Sequence, residues 1–198
     1  YDEGDHPRPE GGDAFERKLT AWLAADSDQQ IGSLSEGDRN QLVAAAWQTI
    51  VGIDDPVPAV EQVSATINVK LDPNQPEENA VVPNKREFAG YTHGYNHSYF
   101  ARRAREVYAQ IRAAKGYGVV VVAEPGVAAI ALAACAASDK GALKKLTITS
   151  DRFRFADIKS YRDPNFVPGA VKYGDLPGLI AAVRSLGTEV MVGEAAGN

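Results

Sequence analysis

At 198 residues with 44% hydrophobic content, the chain has room for one moderate domain with an appended segment, and too much apolar material for wholesale disorder. Its net charge of -5 speaks against nucleic-acid binding, which needs basic clusters to meet phosphates. No run approaches the ~20 apolar residues that span a bilayer, so no membrane span is expected.

Residues 1–12 read as a loop, polar and rich in turn formers; without a Met they look like a linker inside a longer chain and not a signal peptide. Asp13 is placed to cap a helix over 14–25, with Phe15, Leu19, Trp22 and Leu23 on one face, and a second short helix is expected around 28–34. Ser35-Glu-Gly-Asp38 opens a third helix through residue 51. Its apolar stripe is Leu42, Val43, Ala46, Trp47 and Ile50, and a tryptophan on such a stripe reads as core. Gly52 and Asp54-Asp55-Pro56 stop it. Residues 63–71 alternate apolar and polar, the mark of a half-buried strand of edge type. A polar loop with Pro73, Pro76 and Pro83 follows over 72–87.

Asn96 or Ser98 begins the longest helix, to residue 115, lined on one side by Tyr99, Phe100, Val107, Tyr108 and Ile111. Arg102, Arg103 and Arg105 on it read as a solvated face. Val119–Ala123 is a continuous apolar strand expected to be buried on both faces. The helix over 127–137 is almost wholly Ala, Ile, Leu and Val, which requires burial on most sides. Its Cys135, the only cysteine, reads as a structural thiol and leaves the compartment open. A strand over 143–149, a helix capped by Asp175 and ended by Gly187, and a strand over 189–192 complete the chain.

Strands and helices alternating with short connections predict right-handed βαβ units. The expected fold is α/β: a mostly parallel sheet flanked by helices on both faces, resembling part of an α/β-hydrolase, with an N-terminal helical segment. The division expected is a helical linker over 1–60 and the α/β domain over 61–198.

The unit from Gly118 to Cys135 has the strand–turn–helix form of a nucleophile elbow, in which a G-x-S-x-G turn holds a serine over the sheet. Here the five positions read Val122-Ala123-Glu124-Pro125-Gly126. Glu124 stands where the serine would be, and Pro125 has no N–H to lend to an oxyanion.

Gly90-Tyr-Thr-His-Gly-Tyr-Asn96, the arginine-bearing helix, the altered elbow, Arg152-Phe-Arg-Phe155 and the stretch from Asp163 to Leu179 together resemble a group of bacterial acetyl-xylan-esterase-like α/β-hydrolases. The likeness covers 90–194 and, less closely, 1–60, where the opening Asp5-His-Pro-Arg-Pro9 is similar to a linker before a second hydrolase-like domain. It implies a secreted or periplasmic setting and acetylated polysaccharide as the substrate class. The chain departs from that family between Leu71 and Phe88, where further core strands and helices would stand. No histidine follows His97, so the order nucleophile, acid, histidine cannot be completed within these residues. The function expected is therefore a non-catalytic, esterase-like accessory domain. The alternatives are an active carbohydrate ester hydrolase completed by further sequence or a partner chain, and a structural module within an assembly. The partner expected is the rest of a larger chain or another subunit.

Glu124, Asp151 and Glu194, each after a strand, are the candidate catalytic carboxylates; a parallel sheet would bring them to one edge, where three carboxylates suit calcium. Each is equally at home on a solvated rim, and no metal or other cofactor is assigned. His93, Tyr95 and Tyr173 are the candidate ligand-binding residues. His93 is expected in a turn ahead of the helix, so it does not share one helix face with His97, which favours loop or capping roles. His6 carries no argument. Ser138, Ser150 and Ser160 lack the turn and downstream histidine that would activate a hydroxyl. Tyr161, Phe166 and Tyr173 lie in a loop rich in Pro and Gly that suits either stacking on sugars or pinning to the core.

Overall fold

The computed structural model describes residues 11–83, 89–94, 96–150 and 152–194, and the chain divides into two compact units, one up to Arg39 and one from Asn40 onward. In the first unit, α1 (Gly12–Gly32) starts after Gly11, whose left-handed φ of 79° turns its carbonyl to accept the N–H groups of Ala14 and Phe15. It is one helix where two were expected. No Gly or Pro interrupts 25–31, and Gln30 donates to the Asp26 carboxylate one turn back at 2.8 Å. Asp13 lies inside it. The stripe of Phe15, Leu19, Trp22 and Leu23 is exposed. The helix α2 (Glu36–Val51) begins as expected: the Ser35 hydroxyl accepts the Asp38 N–H at 3.1 Å and donates to the Asp38 carboxylate at 2.7 Å.

From Asn40 onward the chain builds one layer of helices on one sheet. The sheet holds β1 (Thr66–Val69), β2 (Val119–Ala123), β3 (Leu143–Ser150) and β4 (Glu189–Glu194), all parallel and in chain order. Three crossovers join them: α4 (Tyr99–Ala113), α5 (Ala128–Ala136) and α6 (Asp175–Ser185); the short α3 (Ala89–His93) precedes α4. Right-handed crossovers that step one strand each in the same direction place every crossover helix on the same face. The packing agrees: α5 touches α4, α6, β2 and β3, while α4 lies on β1 and α6 on β4.

This arrangement corrects the expectation of helices on both faces and of a β2 buried on both sides. Ile67, Val69, Val119, Val121, Ala123, Leu146 and Ile148 are buried toward the helices. On the other face Asn68, Val122, Thr147 and Met191 form one cross-strand row, and Thr66, Val120, Lys145 and Glu189 another. Val122 is 37% and Met191 47% exposed. Threonine, asparagine and a Lys145–Glu189 ion pair at 3.6 Å let that face meet water.

All nine residues of α5 are buried, as its composition demands. Burial pushes the Cys135 thiol well above its ordinary range, consistent with a structural role. Ser98 caps α4 by accepting the Ala101 N–H at 3.2 Å. At the head of α6, Gly174 is the capping residue with φ 86°, and Asp175 is the first helical residue. The Asp175 carboxylate accepts N–H groups from Leu176, Phe155 and Ala156. That ties the 3₁₀ turn Phe155–Asp157 to the helix.

Trp47 of α2 is fully buried, its ring 6.2 Å from Phe100 and 5.8 Å from Phe155. Its indole Nε1 is enclosed without a hydrogen-bond partner, so the residue contributes through volume and not through its N–H. Trp47→Ala is expected to cost about 3–5 kcal/mol, and Trp47→Phe, which keeps most of the ring volume, roughly half as much. Urea unfolding of both variants checks this; equal losses would refute it.

Candidate functional site

The turn after β2 carries Glu124. The Glu124 N–H continues the ladder to Val69 O at 3.0 Å, and the Glu124 carbonyl accepts Val127 N–H at 3.4 Å. Glu124 does not have the positive φ of a strained turn; the left-handed residue is Gly126, at φ 87°. The shape is therefore strand–turn–helix without strain at the position that would carry a nucleophile. Above it lies Leu71: a Cβ on Gly126 would stand 3.1 Å from the Leu71 Cδ2. The Glu124 side chain is exposed.

Of the other two candidate carboxylates, only the backbone of Glu194 is described. Glu194 ends β4, in register with Ser150, so its backbone is two strand spacings, about 9.5 Å, from the β2 line. Asp151 and Tyr95 lie outside the described residues. Among the described residues no group of three His, Cys, Asp or Glu side chains is placed to hold a metal ion. The buried Ser138 hydroxyl donates to Ala134 O at 2.8 Å, and the Ser160 hydroxyl accepts the Arg162 N–H at 3.1 Å, both local backbone roles. Tyr173 is half-buried against the core on the loop before α6, with Gly169 at its ring edge.

A cavity of about 560 Å³ opens elsewhere, between the C-terminal end of α2 and the N-terminal end of α4. In a right-handed βαβ unit the crossover helix starts at the carboxyl end of the sheet, so the start of α4 lies at the end where open α/β sheets hold ligands. His93 and His97 both line the cavity. They belong to different elements: His93 ends α3, and His97 stands just before the cap of α4.

His97 Nε2 lies 2.6 Å from the Asp55 Oδ2, and Arg105 Nη1 lies 3.0 Å from the same oxygen. A hydrogen bond from His97, aided by the charges of His97 and Arg105, holds the Asp55 carboxyl below its usual range. Because the folded carboxyl is harder to protonate than a free one, this link is intact above the ordinary value of 3.8 and is lost as pH falls through the lower folded value.

The turn at the end of α2 makes this contact sterically feasible. Gly52 N–H bonds Thr49 O and Ile53 N–H bonds Gln48 O, a Schellman stop with Gly52 at φ 72°. A Cβ there would lie 2.7 Å from His97 Cε1 and 2.9 Å from the Asp55 Oδ2. Gly52 is thus required both by backbone conformation and by lack of space.

His93 is held by aromatic edges. Its ring is 5.1 Å from Phe166 and 6.4 Å from Tyr161, and Nε2 meets Tyr161 O at 3.1 Å. A carbonyl only accepts, so Nε2 carries a proton, while Nδ1 is enclosed without a hydrogen-bond partner. Phe166 and Tyr161 therefore pack an irregular loop and hold a histidine.

The sequence reading missed Asp55, Arg105 and the second duty of Gly52. Gly52 and Asp54-Asp55-Pro56 were expected only to stop a helix, and Arg105 to be solvated. The correction extends to Arg103, which bonds Glu106 at 2.7 Å and Lys70 O at 3.2 Å; of the three arginines only Arg102 is exposed. The Tyr99 hydroxyl donates to the Asp72 Oδ2 at 2.7 Å, fixing the loop after β1 to α4. Buried Asn79 reinforces it, accepting the Tyr99 N–H at 2.8 Å.

No family model, curated protein or solved structure matches the chain.

Two outcomes are expected from this geometry. Gly52→Ala should destabilise by about 1–3 kcal/mol, and in a His97→Ala background most of the steric part of that loss should vanish; a double-mutant cycle in urea with no coupling would refute the contact. Desolvation and the hydrogen bond to Asp72 push the Tyr99 phenol up to about 12 from 10.0. The stability this lends is full below pH 10.0 and lost as pH rises toward 12. The phenolate absorbance of wild type minus Tyr99→Phe should therefore show one late-ionising tyrosine, and a difference curve centred near the ordinary value would contradict this.

Proposed function

We propose that this chain is a non-catalytic, esterase-like α/β module of a secreted or periplasmic protein acting on acetylated polysaccharide. The observation that carries the non-catalytic reading is the turn after β2. Glu124 puts a carboxylate where an acyl-transfer nucleophile would stand, on unstrained backbone. Pro125 has no N–H where an oxyanion donor is needed, and Leu71 lies against Gly126. A developing oxyanion would meet a negative charge in place of a donor. The substrate class and setting rest on the resemblance of residues 90–194 to acetyl-xylan-esterase-like hydrolases. The parallel order β1-β2-β3-β4 with the altered elbow at its second strand is compatible with part of such a sheet.

One observation favours a second reading, an ester hydrolase completed by a partner chain or further sequence. His97 is a base candidate oriented by Asp55, itself fixed by Arg105, at the wall of a cavity. A third, an interaction module, is favoured by the exposed apolar residues Val122 and Met191 on the helix-free face of the sheet.

Hydrolysis of an aryl acetate by the 198-residue chain tests the non-catalytic reading of these residues. The expected result is no turnover above buffer, unchanged by Glu124→Ala or His97→Ala. Turnover abolished by His97→Ala would overturn the non-catalytic reading in favour of a histidine-dependent site that needs no partner chain. Turnover abolished by Glu124→Ala would show a carboxylate-centred site in place of the serine one.

A further inference from the structure

We infer that the outer edge of β4 pairs antiparallel with β4 of a second copy of this chain, about a two-fold axis through Met191. The inference is independent of the hydrolase question, because it runs from the hydrogen-bonding demand of the two sheet edges. The sheet ends at β1 on one side and at β4 on the other. An edge strand turns the N–H and C=O of every second residue outward, which offers a template to another strand unless something blunts it. β1 is blunted. Ala65 and Val69 give their carbonyls to β2, so by alternation Thr66 faces outward. There the Ser64 hydroxyl accepts the Thr66 N–H at 3.2 Å and donates to the Thr66 carbonyl at 2.9 Å. β1 is also only four residues long. β4 carries no such device. It runs for six residues in unbroken register with β3 and contains neither Lys nor Pro. Among the described residues its backbone bonds to β3 and to nothing else.

The side chains of β4 select the occupant. Residues in register share a face, so Val192, beside the buried Ile148, points to the helix side, as does Val190, which packs on the core. Val192 is nonetheless 48% exposed, so the helix layer leaves it uncovered. Met191 lies on the open face. The run Val190-Met191-Val192 is a palindrome in residue type and shape, as a contact between identical surfaces requires. With the axis through Met191, Val190 stands opposite Val192 of the second copy, Val192 opposite Val190, and Met191 opposite Met191. Glu189 then faces Gly193, and its charge is already met by Lys145. Moving the axis by half a residue sets Glu189 opposite Glu194 and Val190 opposite Gly193, which adds like-charge repulsion and loses the valine pairs. One register is therefore favoured. A two-fold normal to the sheet also keeps both helix layers on one side and joins the two sheets into one.

The test is sedimentation equilibrium of the 198-residue chain over a wide concentration range. A reversible monomer–dimer equilibrium is expected, with a Kd on the order of 100 μM, because so short an edge buries less than a standard interface. Met191→Lys and Val192→Lys each alter a half-exposed side chain, so the circular dichroism and Tm should hold while dimerisation weakens at least about ten-fold. Val122→Lys, on the open face but on β2, should leave it unchanged. Cross-linking reads the register. Cys135, the only cysteine, is buried, so Met191→Cys adds an accessible thiol to a silent background. Opposed Cα atoms in an antiparallel pair lie about 5 Å apart, within disulfide reach, whereas the two Glu189 positions lie roughly 13 Å apart. With oxidised glutathione, Met191→Cys is expected to form a covalent dimer and Glu189→Cys none. A monomer at every concentration overturns the inference and leaves the edge to a strand of another protein. A dimer unmoved by both lysines but lost in Val122→Lys overturns it in favour of the open face. Cross-linking of Glu189→Cys as fast as of Met191→Cys overturns the register.

Discussion

The close approach of α5 to the sheet is the constraint on which the rest of the unit from Asn40 onward depends. Its side chains are mostly methyl groups, with Ile130 and Leu132 as the larger exceptions, and every one is buried. Small side chains let α4 and α6 pack along its flanks while β2 and β3 lie beneath. The helical ladder runs from Ala131 N–H to Val127 O at one end to Ala137 N–H to Ala133 O at the other, where Ser138 folds its hydroxyl back to Ala134 O. Larger or polar residues here would push the neighbouring helices off the sheet, and with α4 would go the wall that carries His97.

Much of this was legible because the signals are local. The span of β2, the core role of Trp47, the Ser98 cap and the apolar character of α5 follow from runs, spacings and capping residues within a few positions of each other. What escaped was pairing across distance. Four successive valines fit a strand buried on one face as readily as on two. Only the register that sets Val120 beside Lys145 and Val122 beside Thr147 shows that one face meets water. The contact of Asp55 with His97 joins residues in separate elements, and no periodicity encodes it. Gly52 announced the end of α2 but gave no sign that its missing side chain makes room for an imidazole. Between the two helices expected in place of α1 lie Asp26, Ser27 and Asp28, residues that favour caps; without Gly or Pro among them, helical hydrogen bonding continues.

The two places where chemistry was sought differ in how they are supported. At the turn after β2 one carboxylate stands exposed on relaxed backbone. At the start of α4 a histidine, a carboxylate and a guanidinium fix one another, and a glycine beneath them leaves no slack. Preorganisation of this kind fixes side-chain positions before any ligand arrives, which lowers the ordering cost of binding. In this respect the wall of the cavity is better preorganised than the elbow.

The order of strands also bears on how the chain reaches this state. Strand order equals chain order, so no strand has to be inserted between two already paired. The connection from β2 through α5 to β3 is the shortest of the three, and the one from β1 through α4 to β2 is the longest. Loop-closure entropy therefore makes β2 with β3 the least costly pairing and β1 with β2 the most costly. The four-residue β1 is also the shortest strand, held at the edge by a single neighbour. The bonds of Asp72 and Asn79 to Tyr99 lie just beyond it, so this most expensive closure is fastened by side chains of the loop that follows the strand.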